Sequence, residues 1–181
     1  QNKSTLPKQT PVTDGNAFIA YFGSQGAYAY TLEGKQLWSR ELGVLNVGAY
    51  DAPDYEWGPA SSPTIYRDLV IIQCDQQKNS FLIALDRKTG KTVWRTERDE
   101  LPSWGTPNVS IHGGRAELVT NGSNAIRGYD PLSGKELWKI GGSSMTVRKA
   151  VDSLVQAGDV EKLGPQENWI GPGRAPIVYR R

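Results

Sequence analysis

Leu82-Ile83-Ala84-Leu85-Asp86-Arg87-Lys88-Thr89-Gly90-Lys91-Thr92-Val93-Trp94 reads as a β-hairpin. Apolar residues run up to Asp86, a turn follows, and a second extended run ends at Trp94. Gly90 can take the positive φ that a tight reversal demands. The short carboxylate of Asp86 can accept hydrogen bonds from the turn backbone. Val93 and Trp94 are adjacent on an extended chain, so they face opposite sides of the sheet.

The unit recurs twice more. Ala27-Tyr28-Ala29-Tyr30-Thr31-Leu32-Glu33-Gly34-Lys35-Gln36-Leu37-Trp38 precedes it, and Ile126-Arg127-Gly128-Tyr129-Asp130-Pro131-Leu132-Ser133-Gly134-Lys135-Glu136-Leu137-Trp138 follows it. Asp86 and Asp130 share one position, whereas Tyr30-Thr31 breaks the pattern, so the first hairpin is expected to be tied less firmly. Trp38, Trp94 and Trp138 recur at one position after Gly34, Gly90 and Gly134. A tryptophan repeated in this way points to packing between repeats, not to a ligand site. Leu37, Val93 and Leu137 fall on the opposite face.

Each hairpin also has a matching start. Thr10-Pro11-Val12, Ser62-Pro63-Thr64 and Thr106-Pro107-Asn108 precede the polar turns Asp14-Gly15-Asn16, Arg67-Asp68 and His112-Gly113-Gly114. A β-rich run follows each turn: Ala17 to Phe22, Leu69 to Cys74, and Ala116 to Thr120. Four short antiparallel strands per repeat is the anatomy of a propeller blade. The fold class is therefore an all-β propeller of four-stranded blades with about three blades present, plus a C-terminal helix–loop segment.

Ala84 to Trp94 matches Ala-x-Asp-x-x-Thr-Gly-Lys-x-x-Trp at every defined position and resembles the PQQ-like propeller repeat. Ser80 to Asp86 and Ser103-Trp104-Gly105-Thr106-Pro107 are similar to bacterial outer-membrane-assembly-type and PQQ-like domain proteins. The resemblance covers about residues 10–142. It implies a bacterial envelope location, periplasmic or extracellular, and other protein chains as partners. Three blades do not close a propeller, and such proteins usually carry eight. The expectation is a piece of a longer protein, or partner chains that supply the missing blades.

The organisation expected along the chain is an N-terminal extension (1–9), blade one (10–43), an insertion loop (44–59), blade two (60–100) and blade three (101–142). A helix (143–164) and a loop with a terminal strand (165–181) complete it. Val147, Val151, Leu154 and Val155 carry the helical spacing, within 146–163. Ala175-Pro176-Ile177-Val178-Tyr179 reads as a final strand that could open a further blade. The insertion is acidic and aromatic, and long loops on rigid sheets are where propellers place binding groups. Tyr50, Asp54, Trp57, Trp104 and Trp169 are therefore the candidate partner-binding residues; Trp57, Trp104 and Trp169 stand outside the hairpin register.

A net charge of +2 implies no nucleic-acid surface, and no apolar run reaches the ~20 residues of a membrane-spanning helix. The single cysteine, Cys74, lies in the apolar run Leu69 to Cys74 and reads as a small buried hydrophobe. A lone His112 in a turn offers no zinc set. No catalytic, cofactor-binding or metal-binding residue is assigned, and no cofactor is expected. Quinoprotein dehydrogenases resemble this repeat but commonly use a vicinal cysteine pair, a tryptophan platform and calcium on acidic oxygens. One cysteine cannot form that pair, and no spacing supports Asp75 and Trp104 as a ligand and a platform. The reading from sequence is a non-catalytic envelope scaffold that binds proteins. The alternatives are a fragment of a PQQ- and calcium-dependent dehydrogenase, or a carbohydrate-binding propeller.

Overall fold

The computed structural model describes residues 9–49, 52–56, 58–141, 161–165 and 177–180. Each repeat forms one antiparallel sheet. Strands β1 (Val12–Thr13), β2 (Ala17–Tyr21), β3 (Ala27–Thr31) and β4 (Gln36–Arg40) make the first blade, hydrogen-bonded in that order. A small hairpin of β5 (Gly48–Ala49) and β6 (Ala52–Glu56) follows it. The second blade contains β7 (Thr64–Tyr66), β8 (Leu69–Cys74), β9 (Ser80–Asp86) and β10 (Thr92–Arg98). The third contains β11 (Asn108–His112), β12 (Arg115–Asn121), β13 (Ala125–Tyr129) and β14 (Glu136–Gly141). The strands β1, β7 and β11 approach one another, so the blades converge along their first strands.

Alternation along the strands builds two cores. Ile19, Tyr21, Ala27, Ala29 and Trp38 of blade one pack on Val70, Ile72, Cys74, Phe81, Ile83 and Leu85 of blade two. The opposite face of blade two carries Leu69, Ile71, Leu82, Ala84 and Trp94, which meet Leu118 and Tyr129 of blade three. Both faces of β8 and β9 are thus covered, which explains why these strands read as near-continuous apolar runs. Leu37, Val93 and Leu137 point away from these interfaces and are exposed.

The repeated tryptophans join one blade to the next. The Trp38 ring lies against Gly90, and its indole N–H donates to the Arg87 carbonyl at 2.8 Å. Trp94 repeats the arrangement on Gly134, donating to the Pro131 carbonyl at 3.1 Å. Each ring crosses a small residue of its own sheet, since Trp38 pairs with Ala29 and Trp94 with Ala84. Trp138 pairs with Gly128 and behaves differently. Its ring settles onto Gly128, and its N–H donates to Glu117 of its own blade at 2.8 Å.

The turns match their expected chemistry. Asp86 Oδ1 accepts from the backbone N–H groups of Lys88 and Thr89 and from the Thr89 hydroxyl. Asp130 Oδ1 accepts from the Leu132 N–H. In the first hairpin Thr31 takes that place, and its hydroxyl accepts from the Lys35 N–H at 3.3 Å.

Two expectations need correction. The insertion at 44–59 is not simply a loop, because Gly48–Ala49 and Ala52–Glu56 pair as a hairpin. The helix expected over 143–164 falls largely on residues 142–160, outside the described residues; its final stretch is strand. Glu161–Pro165 forms β15 and pairs with β16 (Ile177–Arg180). Gly164 and Pro165 are poor helix residues, so the end of the amphipathic pattern yields to extended pairing.

Gly90 combines φ +68° with a Trp38 ring atom only 2.6 Å from where a Cβ would sit, whereas Gly34 has φ +86° and open space. Gly90→Ala therefore adds ring overlap to left-handed strain. It is expected to lose about 2–5 kcal/mol, against about 1–2 kcal/mol for Gly34→Ala. Urea unfolding of both variants measures the difference.

Candidate functional site

Strand direction fixes which groups share an end of the molecule. In every blade the second strand runs away from the β1–β2-type turn and the third returns towards the Gly-Lys turn. The connections between second and third strands therefore gather at the opposite end, together with the linkers from blade to blade. That end carries the insertion hairpin, residues 75–79 after β8, and the linker 99–107.

The insertion is fastened to blade two. The Gln77 N–H donates to the Asn46 carbonyl at 2.9 Å, and the Asn46 N–H to Gln76 Oε1 at 3.2 Å. The Gln77 amide reaches the Gly48 carbonyl, while the Gly58 N–H closes the base of the hairpin on Val47. From the next linker, the Trp104 indole donates to the Gly58 carbonyl at 3.1 Å. Trp104 remains 37% exposed, an aromatic surface held in one orientation at the junction of two linkers.

Beneath this surface lies a buried polar layer between blades two and three. Arg98 grips Asp75 through Nε at 2.8 Å and Nη2 at 3.2 Å, with both side chains fully buried. Gln73 and Ser103 donate to the same carboxylate at 2.8 and 2.6 Å. The remaining Arg98 nitrogen donates to Thr120 and to the Tyr129 hydroxyl. A second pair, Glu100–Arg127, crosses the same seam at 3.0 Å. Glu100 Oε2 also accepts from the Asn124 N–H, and Arg127 donates to the Asp99 carbonyl and to Glu136. The bonds from Arg98 to Thr120 and Tyr129 and the Glu100–Arg127 pair cross between the blades and hold one relative placement, because breaking them would strand buried charged or polar groups.

The candidates from sequence separate at this end. Trp104 belongs to the surface. Asp54 lies on β6 of the insertion hairpin, whereas Tyr50, Trp57 and Trp169 lie outside the described residues. Asp75 and Trp104 do not form a metal ligand and its platform. Both Asp75 oxygens are engaged by Arg98, and Gln73 and Ser103 occupy one of them further, so this carboxylate does not fit the part of a calcium ligand. Among the described residues, no three acidic, histidine or cysteine side chains gather as a metal site. His112 is the exposed last residue of β11. Sequence reasoning missed the Arg98 and Arg127 pairs. Gln73 and Asp75 are polar residues at the end of an apolar strand, but nothing local in the sequence ties them to Arg98 at the end of β10. Cys74 is a core residue against the Tyr21 hydroxyl, 3.7 Å away. Burial pushes its thiol up to about 12, and pushes the Tyr21 phenol well above its ordinary value.

The family profile PQQ_2, outer membrane protein assembly factor BamB, matches residues 2–161. No curated protein matches significantly. Among solved structures, BamB from Moraxella catarrhalis is similar at 16% identity and TM-score 0.52, over 78% of this chain and 38% of that one. Quinohemoprotein alcohol dehydrogenase from Comamonas testosteroni is similar at 14% identity and TM-score 0.55, over 76% of this chain and 27% of that one. A europium-containing methanol dehydrogenase gives 14% identity and TM-score 0.51, over 76% and 25%. At these identities the likeness is one of fold. The chain spans well under half the length of each of these proteins.

The Cys74 thiol has a folded-state pKa above its ordinary 9.0, so the folded chain holds that proton more tightly. Its contribution is complete below pH about 9 and is lost as pH rises towards 12. Urea unfolding is expected to show stability falling from pH about 9 upward. Cys74→Val should flatten part of that fall, with Tyr21 accounting for more of it.

Proposed function

This chain belongs to the family of outer membrane protein assembly factor BamB, and from that premise we propose that it is a non-catalytic protein-binding module of the bacterial envelope. The observation that carries the reading is the pinned surface of the insertion hairpin and Trp104. Exposed aromatic area presented on a rigid support is the chemistry of a protein-docking surface. Side-chain anchors from blade two and the next linker limit the ordering cost of binding there. The acidic side chains beneath it serve the seam between blades, which leaves this end to act through shape and aromatic contact.

Its partner on this reading is a protein of the outer-membrane assembly machinery, bound at the end carrying the insertion and Trp104. The reading needs no quinone and no calcium. It locates the protein where outer membrane proteins are assembled, in the periplasm, with further blades contributed beyond the three described.

Binding to the periplasmic portion of the outer-membrane insertase, followed by surface plasmon resonance, tests the proposal. Trp104→Ala is expected to weaken binding by about tenfold or more. Replacing residues 48–56 by a short Gly-Ser turn should do the same, and Lys139→Glu on blade three should leave binding unchanged. Thermal unfolding of the same samples separates lost contact from lost fold. Unchanged affinity in both site variants would overturn the assignment of this surface.

A further inference from the structure

Blade three departs from the other two at a pair of positions beside its repeated tryptophan. Strand pairing aligns Ile19, Ala29 and Trp38 across blade one, and Ile71, Ala84 and Trp94 across blade two. The same row in blade three is Val119, Gly128 and Trp138. The residue next to the tryptophan is thus alanine, alanine and then glycine. Two residues before the second-strand member of each row stand Ala17, Leu69 and Glu117. Strands alternate their faces, so each of these shares a face with the tryptophan of its own sheet. Blade three therefore has a carboxylate where the others are apolar and lacks the methyl that they carry.

Each difference acts on the indole. The Trp138 ring lies where a Cβ of residue 128 would sit, so the methyl of Ala29 or Ala84 shuts a ring out of the corresponding place. Glu117 Oε2 accepts from the Trp138 N–H at 2.8 Å, while Oε1 pairs with Arg115. Trp38 and Trp94 instead give their N–H groups to neutral carbonyls of the next blade, those of Arg87 and Pro131. A hydrogen bond to an ionised acceptor is roughly twice as strong as one between neutral groups. The bond from Trp138, with Arg115 beside it, holds the Glu117 carboxyl below its ordinary value, so the acceptor is ionised near neutral pH.

We propose that Glu117 and Gly128 form a latch that stores the Trp138 ring on its own sheet and withholds it from the cross-blade position that Trp38 and Trp94 take. The contact is autoinhibitory, because both the ring face and the N–H are already engaged inside blade three. A neighbour that took up this indole as the next blade takes up Trp38 would have to outcompete the Glu117 bond. The first two joints are therefore fixed by their tryptophans, whereas Trp138 has a stored and an extended position with the stored one favoured. The latch stands independently of the proposed function, since it involves neither the insertion nor Trp104.

Giving blade three the residues of the other blades tests this on the full chain, with the indole N–H signals of Trp38 and Trp94 as internal references in NMR. In Glu117→Leu, which introduces the side chain found in blade two, the Trp138 indole N–H is expected to exchange about tenfold faster and its signal to move upfield. Glu117→Gln keeps an acceptor oxygen and should recover most of the native signal position. Gly128→Ala is expected to abolish the nuclear Overhauser contacts between the Trp138 ring and residue 128. Unshifted Trp38 and Trp94 signals in the same spectra distinguish release of one ring from loss of the fold. An unchanged Trp138 signal in Glu117→Leu, or ring contacts to residue 128 that persist in Gly128→Ala, would overturn the proposal.

Discussion

A tryptophan laid flat on a glycine of the next repeat is the constraint on which this structure rests. The glycine has to satisfy two demands together. Gly90 and Gly134 carry positive φ, and they also leave no room for a Cβ beneath the rings of Trp38 and Trp94. The indole N–H then meets a turn carbonyl, so a large apolar group is buried without leaving its polar atom unpaired. Truncating such a buried tryptophan to alanine ordinarily costs about 3–5 kcal/mol, more than any single surface ion pair contributes. The repeated docking thus fixes how each blade sits on the one before it.

From that placement follow the groups at the opposite end of the sheets. Once blades two and three are set, Arg98, paired with Asp75 inside blade two, reaches Thr120 and Tyr129 across the seam, and Arg127 meets Glu100. These pairs contribute less net stability than their short distances suggest, because removing charges from water offsets much of the attraction. Their effect is on uniqueness, since another blade angle would unpair Glu100 from Arg127 and take Thr120 and Tyr129 from Arg98. The Gln76–Gln77 corner and Trp104 then hold the insertion hairpin in position.

Much of the fold was legible because a repeat states the same physics three times. Glycine four residues before tryptophan, an aspartate opening the turn, and a proline start identified the blades. What eluded the sequence depended on contacts distant along the chain. Arg98 and Asp75 are separated by two strands, and nothing local marks them as partners. The hairpin at Gly48–Glu56 was read as loop because Pro53 and the acidic residues mask its extended character. The apolar spacing that suggests a helix near the end lies on Val147–Val155, outside the described residues, and only the stretch Glu161–Pro165 is seen as strand. For the candidate site, Trp104 was identified by its position outside the hairpin register. Its bond to the Gly58 carbonyl, which holds it against the insertion, emerged only from the structure.

Hydrogen exchange of the indole N–H protons tests the central claim most directly, because NMR resolves each tryptophan separately. Trp38 and Trp94 donate across a blade boundary and are buried, while Trp138 donates within its own blade and is half-buried. The account expects the Trp38 and Trp94 protons to exchange only with unfolding of the blade interface, and the Trp138 proton to exchange much faster. Equal rates at all three positions would mean that docking onto the neighbouring glycine does not hold the blades together.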